Sequence, residues 1–222
     1  MSEIEGRRSG RPNRGFEAGR RRRPGSGTGE PLPPRRGAAA LLPPGWREGR
    51  FLALDVETTG LDPKSCRVIE IAAVLFDLGH PREPIMSMDR LVNPGISIPE
   101  SARAVHGITD RDVADAPDFA EIAAELEALA VGAFLIAHNA SFDLGFISME
   151  LAKASRPPLA NRILDSLGFA RAAFPGLPSY SLPRLAASLG IPTSRSHRAL
   201  DDAIACAEVF ALSVARIAGV SP

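Results

Sequence analysis

From Phe51 onwards, short apolar segments alternate with longer stretches in which apolar residues recur at helical spacing. The first three apolar segments are separated by turn-rich sequence, which predicts an antiparallel meander of three strands. These segments read FLALDVET, RVIEIAAVLFD and PIMSMDRLVNP, and AFLIAHN and NRILDSL are two further predicted strands. Because helical segments separate the later strands, we expect an α/β fold with a five-stranded mixed sheet flanked by helices on both faces.

Five segments are predicted to be helical. They read SIPESARAVHGIT, DFAEIAAELEALAVG, SFDLGFISMELAKA, SLPRLAASLG and HRALDDAIACAEVFALSVARIA. A serine at the start of a helix commonly bonds to free backbone N–H groups, so Ser141 is the expected cap of the third segment. Gly190 is expected to end the fourth, because glycine readily adopts the left-handed conformation that closes a helix.

The amino-terminal sequence is different. Residues 1–45 are rich in arginine, glycine and proline, so we predict a disordered basic tail before a folded domain at residues 46–222. Residues 1–50 contain 12 arginines and five glutamates, a balance of +7, whereas residues 51–222 contain 14 basic and 21 acidic side chains, a balance of −7. A basic tail of this kind could attract phosphates, or it could have no specific role.

The composition also bears on location. No apolar run approaches the roughly 18–20 residues of a membrane span, and the first residues lack the apolar core of a secretory signal. Only two cysteines occur, which favours reduced thiols over a disulfide framework. We therefore expect a cytoplasmic protein that does not contact membranes.

Two acids interrupt the first predicted strand. Asp55 and Glu57 lie two positions apart in LALDVETTG. Because side chains alternate along a strand, these acids share the face of Ala53, and Leu54 and Val56 point to the other face. Like charges in a low-dielectric interior repel each other and are costly to desolvate, so this arrangement requires a reason.

Two further acids are candidates for burial. Asp143 is expected in the first turn of the helix after the fourth strand, where strand ends assemble functional sites. Asp202 shares a helical stripe with apolar residues at the next positions of the same face. These residues are Ala205, Cys206, Val209 and Phe210.

Together, the four acids suggest a metal site. No lysine or arginine stands at a spacing that obviously pairs with Asp55, Glu57, Asp143 or Asp202. Hard divalent cations neutralise buried carboxylates, and two such ions about 4 Å apart stabilise the attacking and leaving oxygens of a phosphoryl displacement. His197 precedes the last predicted helix, and an imidazole with a pKa near about 6.5 can act as a general base.

In order, spacing and flanking residues, these motifs resemble the DEDDh 3′–5′ exonucleases, a family that includes the proofreading epsilon subunit of bacterial DNA polymerase III, RNase T and oligoribonuclease. DVETTG at 55–60 resembles the first motif, HNASFDLGF at 138–146 the second and HRALDD at 197–202 the third. VHGIT at 105–109 is similar to a loop that approaches the terminal nucleotide in epsilon-like members. The resemblance extends from residue 51 to about 217.

The resemblance implies a ribonuclease-H-like fold and two Mg²⁺ or Mn²⁺ ions bound by the four acids, with His197 accepting the proton of the attacking water. It implies cleavage of the terminal 3′ phosphodiester and release of nucleoside 5′-monophosphates. By matching positions, it also implies six residues around the terminal nucleotide: Thr58, Leu61, His106, His138, Asn139 and Phe142. A core hydrogen bond is an alternative role for His138, and His106 is similarly undecided. Apolar surfaces such as Leu61 and Phe142 can hold bases with little sequence preference.

Other functions remain open at this stage. The chain could be an accessory subunit of a DNA polymerase that acts mainly by binding, with the tail recruiting the polymerase or another protein. It could also be an inactive nucleic-acid-binding relative, which the five intact catalytic positions oppose. Because the sequence ends at Pro222, soon after the last predicted helix, we expect no polymerase-binding segment of the epsilon type there. RNA is the alternative substrate, since HRALDD suits oligoribonuclease-like relatives, whereas DVETTG and VHGIT favour DNA.

Overall fold

A five-stranded mixed sheet forms the centre of the computed structural model, which describes residues 32–193 and 198–220. Its strands are β1 (Arg50–Thr58), β2 (Val68–Phe76), β3 (Met86–Leu91), β4 (Ala133–Ala137) and β5 (Ile163–Asp165). The strand order is β3-β2-β1-β4-β5, with β1 to β3 antiparallel and with β4 and β5 parallel to β1. The predicted meander and five-stranded sheet are confirmed.

Seven α-helices occur within the described residues. They are α1 (Glu100–His106), α2 (Asp110–Val113), α3 (Phe119–Ala130), α4 (Ser141–Lys153), α5 (Ser166–Ala173), α6 (Leu182–Leu189) and α7 (Ala199–Ala218). Helices α3 and α4 cover one face of the sheet, and α5, α6 and α7 cover the other. Helices α1 and α2 pack around Ile69 near the start of β2. Helices α2 and α5 were not predicted from the sequence.

The two faces of β1 follow the predicted alternation. Leu54 and Val56 belong to the apolar cluster beneath α3 and α4. Phe51 and Ala53 belong to the cluster beneath α7, so Asp55, which has the same parity, faces the α7 side. The sequence therefore places the first acidic pair on the correct side of the sheet.

The end of β1 is shaped by a bulge and a glycine. Glu57 pairs with Glu70 on β2, whereas Thr58 pairs with Val68, which leaves Ile69 as an extra residue on β2. A Cβ atom at Gly60 would lie 2.6 Å from Sγ of Cys66, so a larger residue in the turn after β1 would require the Cys66 side chain to move. Bulges of this kind re-aim side chains and are common next to active sites.

The packed part of the chain begins before residue 46. The backbone N–H of Arg35 donates to the carbonyl of Ala172 at 2.8 Å, and a 3₁₀ helix at Ala38–Leu41 contacts α5 and α7. The predicted domain start at residue 46 is therefore too late, because Ala38 is buried and Leu42 packs on the adjacent core. Residues 1–31 of the predicted disordered tail lie outside the described residues. No helix in the described part of the chain is long and apolar enough to cross a membrane.

The expected cap of α4 is also different. Ser141 is the first helical residue and does not cap the helix. Instead, a carboxylate oxygen of Asp165, at the end of β5, accepts the backbone N–H groups of Asn139 and Ala140 at 2.9 and 3.3 Å. A side chain from a neighbouring strand thus satisfies the backbone before the helix that carries Asp143. Gly190 ends α6 as predicted.

Candidate active site

Three of the four predicted metal ligands form a compact group. Asp55 and Glu57 project from β1, and Asp202 projects from the first turn of α7, which packs across the same face of the sheet. One carboxylate oxygen of each residue lies within 4.8 Å of an oxygen of the other two. A compact set of carboxylate oxygens is the donor set that hard divalent cations prefer.

Asp143 approaches the same point from the other side. It lies in the first turn of α4, after the parallel strand β4, and its side chain is 4% exposed. One oxygen accepts the backbone N–H of Val56 at 3.2 Å, between the two acids of β1. Asp143 is therefore anchored to the strand that carries Asp55 and Glu57, although it lies outside the group of three oxygens.

The charges of these acids are poorly compensated in the absence of a cation. Burial raises the pKa of Asp55 well above its usual range, and the negative charges of Asp143 and Asp202 raise it further. Burial, followed by the charge of Asp202, raises the pKa of Glu57 to about 8. Burial raises the pKa of Asp143 to about 7, against the effect of its backbone hydrogen bonds. A bound divalent cation would offset the repulsion that these shifts reflect, so the residues fit a metal site.

Glu70 is a buried acid next to this site that the sequence analysis missed. Its carboxylate accepts hydrogen bonds from Nε and Nη2 of Arg198, at 3.0 and 2.7 Å. It also accepts one from the backbone N–H of Ala199, at 3.0 Å. The signal was visible in the sequence as a single acid within RVIEIAAVLFD, a strand that is buried along its whole length. Its partner, 128 residues away, could not be inferred from spacing.

An apolar groove lies beside the carboxylates. A cavity of about 320 Å³ is lined by Glu57 and by four of the six residues predicted to surround the nucleotide. Those four residues are Thr58, Leu61, His106 and Phe142. Leu61 is 85% exposed, whereas His106 is buried and its Nδ1 accepts the backbone N–H of Ile108 at 3.0 Å.

His138 does not line this groove. Its Nε2 lies 2.8 Å from the carbonyl of Tyr180 and its Nδ1 lies 2.8 Å from Oγ of Ser166. Because a carbonyl can only accept, Nε2 carries the proton, Ser166 donates to Nδ1, and the thiol of Cys206 in turn donates to Ser166 at 3.4 Å. Burial lowers the pKa of His138. Both ring nitrogens are thus occupied in a core network, which favours the structural alternative over substrate contact.

Two other predicted residues have different outcomes. Asn139 is exposed in the turn before α4, with a φ of 71°, a conformation that asparagine tolerates better than most residues. Its backbone N–H, rather than its side chain, makes the hydrogen bond to Asp165. His197, the predicted general base, lies outside the described residues, and its role stays a prediction.

Comparison with known proteins identifies the family. The RNase_T exonuclease family model matches residues 52–210, which is most of the chain. The chain belongs to the DEDDh-type 3′–5′ exonuclease family. It is 38% identical over 168 residues to the epsilon subunit of DNA polymerase III from Treponema pallidum, covering 74% of this chain and 76% of that subunit. It is 36% identical over 162 residues to the 3′–5′ exonuclease DinG of Bacillus subtilis, covering 72% of this chain but only 17% of DinG.

Solved structures agree with this assignment. Exonuclease X in complex with 5′-overhanging duplex DNA has a TM-score of 0.58 and 27% identity, covering 77% of this exonuclease and 94% of that chain. Escherichia coli exonuclease I in complex with a dA16 oligonucleotide has a TM-score of 0.63 and 23% identity, covering 72% of this exonuclease and 39% of that chain. The second likeness concerns the fold alone. The ribonuclease-H-like fold expected from the sequence motifs is confirmed.

Proposed function

We propose that this exonuclease hydrolyses the terminal phosphodiester at the 3′ end of DNA and releases nucleoside 5′-monophosphates. The observation that carries the proposal is the group of three carboxylate oxygens within 4.8 Å of one another, beside an apolar groove. A DNA polymerase is the partner class suggested by the similarity to an epsilon subunit.

Asp55, Glu57, Asp143 and Asp202 are the residues that would hold two divalent cations, with Mg²⁺ or Mn²⁺ as the proposed ions. When bound, such ions supply positive charge that stabilises the attacking and leaving oxygens of the displacement. The chain fixes its acids on three packed elements, since β1 is the central strand of the sheet and α4 and α7 pack on its two faces. This packing keeps the carboxylates close together despite their mutual repulsion.

Proton transfer is assigned to His197. An imidazole titrates near neutral pH and can accept a proton from the attacking water. In the sequence, His197 directly precedes Arg198. Glu70 accepts hydrogen bonds from the side chain of Arg198 and from the backbone N–H of Ala199. The assignment rests on the match to the third motif of the family.

The groove supplies binding surface for the terminal nucleotide. Leu61 and Val105 expose 85% and 55% of their surface on its rim, and Phe142 lies half-buried in its wall. Apolar and aromatic side chains hold the faces of bases with little sequence preference. A groove of this composition suits an enzyme that removes any of the four nucleotides in turn.

DNA is the proposed substrate because the relatives point to it. The similar epsilon subunit belongs to a DNA polymerase by name, and the similar exonuclease X structure contains duplex DNA. Discrimination from RNA depends on contacts with the 2′-hydroxyl. A direct comparison of the two nucleic acids is therefore part of the test.

The test uses 5′-labelled DNA and RNA strands of the same sequence, incubated with Mg²⁺, with Mn²⁺ or with chelator. We expect a ladder that shortens from the 3′ end of DNA, needs the metal, and develops more slowly on RNA. Faster shortening of RNA would reverse the substrate assignment, and shortening in chelator would refute the metal site. Asp202→Asn is expected to abolish the ladder, whereas its neighbour Asp201→Asn provides a matched control that retains it.

A further inference from the structure

Glu70 occupies an unusual position for an acid. It lies on the second strand of the sheet, directly opposite Glu57 in the β1–β2 register, and its side chain is 1% exposed. Its negative charge raises the pKa of both Asp55 and Glu57. An acid at this position adds to the repulsion around the metal ligands, so its presence needs a compensating contribution.

The contacts of Glu70 show what it contributes. One oxygen accepts the backbone N–H of Ala199 at 3.0 Å, the first residue of α7. Arg198, which precedes the helix, makes no capping hydrogen bond with its own side chain. The first N–H groups of a helix have no partner within the helix, and a carboxylate at that end is favoured by the helix dipole. Glu70, which lies on strand β2, therefore caps the N-terminus of helix α7.

The same carboxylate also fixes Arg198. The guanidinium binds Glu70 through Nε and Nη2, and the side chain of Arg198 remains 40% exposed. At Glu57, the positive charge of Arg198 offsets part of the larger, opposite effect of Glu70 on the pKa. Asp202 follows within the first turn of the helix that is held in this way.

We propose that Glu70 is a positioning residue for the metal site: its carboxylate holds the first turn of α7, and with it Asp202, against Glu57 on β1. The inference rests on the proposed metal-dependent function and deepens it. A similar arrangement occurs at helix α4, which carries Asp143. There, Asp165 at the end of β5 accepts the backbone N–H groups of the two residues that precede the helix. Each helix that supplies a metal ligand is thus anchored by an acid from a strand.

The test measures Mn²⁺ binding to the 222-residue chain by calorimetry, together with the thermal unfolding of each metal-free variant. Glu70→Ala removes the contact, and we expect Mn²⁺ affinity to fall by about 10- to 100-fold, the scale seen when residues that orient metal ligands are lost. Glu70→Gln keeps an oxygen that can accept the N–H of Ala199, so a smaller loss is expected. This partial rescue distinguishes positioning from a general loss of stability.

The matched control lies on the same helix. Glu208 is also buried on α7 and pairs with Arg82 at 2.6 Å, but it stands six residues beyond Asp202. Glu208→Ala is expected to lower the unfolding temperature while leaving Mn²⁺ affinity unchanged. If Glu70→Ala fails to fold, Glu70→Gln is compared with Arg198→Gln, which retains the contact to Ala199 and is expected to bind Mn²⁺ more tightly than Glu70→Gln.

The outcomes separate the two proposals. Absence of Mn²⁺ binding by the wild-type protein would refute the proposed function itself. If the wild type binds Mn²⁺ and Glu70→Ala and Glu70→Gln bind it equally well, the positioning role alone is refuted. Equal losses of affinity in the Glu70 and Glu208 variants would also overturn it, because the effect would then follow stability rather than position.

Discussion

Two groups of buried or half-buried acids occur in this domain, and they differ in their partners. In one group, which we call the paired acids, each carboxylate binds an arginine side chain: Glu70, Glu150 and Glu208. In the other group, which we call the site acids, none forms an ion pair with a lysine or arginine of the described residues: Asp55, Glu57 and Asp143. Burial alone therefore does not mark a metal ligand: the paired acids are neutralised by arginine, whereas the site acids lack such a partner and lie together at the end of β1.

The comparison has a simple electrostatic basis. A buried carboxylate is tolerated when a cation and hydrogen bonds replace its water, as Arg67 does for Glu150 through Nε at 2.7 Å and Nη2 at 2.9 Å. The site acids repel one another and accept few backbone hydrogen bonds. Burial, together with the neighbouring negative charges, therefore raises their pKa values. The missing positive charge is what a divalent cation would supply.

The largest expected effect comes from neutralising a site acid. Asp55→Asn is expected to lower the rate of DNA hydrolysis by about 10²- to 10³-fold or more, the scale of losing a dominant electrostatic contact in an active site. Because the substitution removes repulsion, the metal-free variant is expected to unfold at a temperature equal to or above that of the wild type. A markedly lower unfolding temperature would show instead that the Asp55 carboxylate stabilises the fold, as the paired acids do.

Removing a paired acid that does not contact the helix turn of Asp202 is expected to have the opposite profile. Glu150→Ala leaves Arg67 and the backbone N–H of Val68 without their carboxylate, and we expect a loss of about 3 kcal/mol of unfolding free energy. Chemical denaturation measures this loss. Mn²⁺ affinity of the folded variant is expected to match the wild type, and a large loss of affinity would break the distinction between the two groups.

The metal-free protein is expected to lose stability as pH rises. Burial raises the pKa of Asp143 to about 7 and that of Glu57 to about 8, whereas carboxyls of the unfolded chain titrate near about 4. The stabilising contribution of the bound protons is complete below about pH 4 and is lost as pH rises through the folded pKa values. Thermal unfolding in chelator is thus expected to show a fall of several degrees from about pH 5 to about pH 8. A rise over the same range would contradict the raised pKa values, and added Mn²⁺ is expected to reverse the fall.

The smallest effect concerns the most exposed of the paired arginines. The side chain of Arg82 is 56% exposed, so water replaces much of its interaction with Glu208 when it is removed. Arg82→Ala is expected to cost about 1 kcal/mol of unfolding free energy and to leave hydrolysis unchanged. Unfolding and hydrolysis assays on the same preparation check both expectations, and an altered rate would show that the surface ion pair influences the site.

Local pattern was sufficient for the main features of the site. The two-residue period of β1 predicted the shared face of Asp55 and Glu57, and the helical stripe of α7 predicted the inward direction of Asp202. The order of strands and helices predicted the mixed sheet. In each case the information lies within a few neighbouring residues, where the geometry of a strand or helix determines direction.

Long-range partners could not be inferred in this way. The cap of α4 comes from Asp165, 25 or 26 residues beyond the N–H groups it binds, so the local candidate Ser141 was wrong. The ion pairs of Glu70 and Glu150 join residues 128 and 83 positions apart. Helix α5 was missed because its first residues read as the end of strand NRILDSL. These features depend on how the elements pack, which a single sequence does not specify.

The central claim is that the site acids, together with Asp202, bind divalent cations. Calorimetric titration of the 222-residue chain with Mn²⁺ at about pH 8, where Asp143 is largely ionised and Glu57 is about half ionised, tests it most directly, because metal binding releases the remaining protons. We expect two bound ions in the wild type and loss of binding in both Asp55→Asn and Glu57→Gln. Absence of binding in the wild type, or equal binding in these variants, would contradict the account.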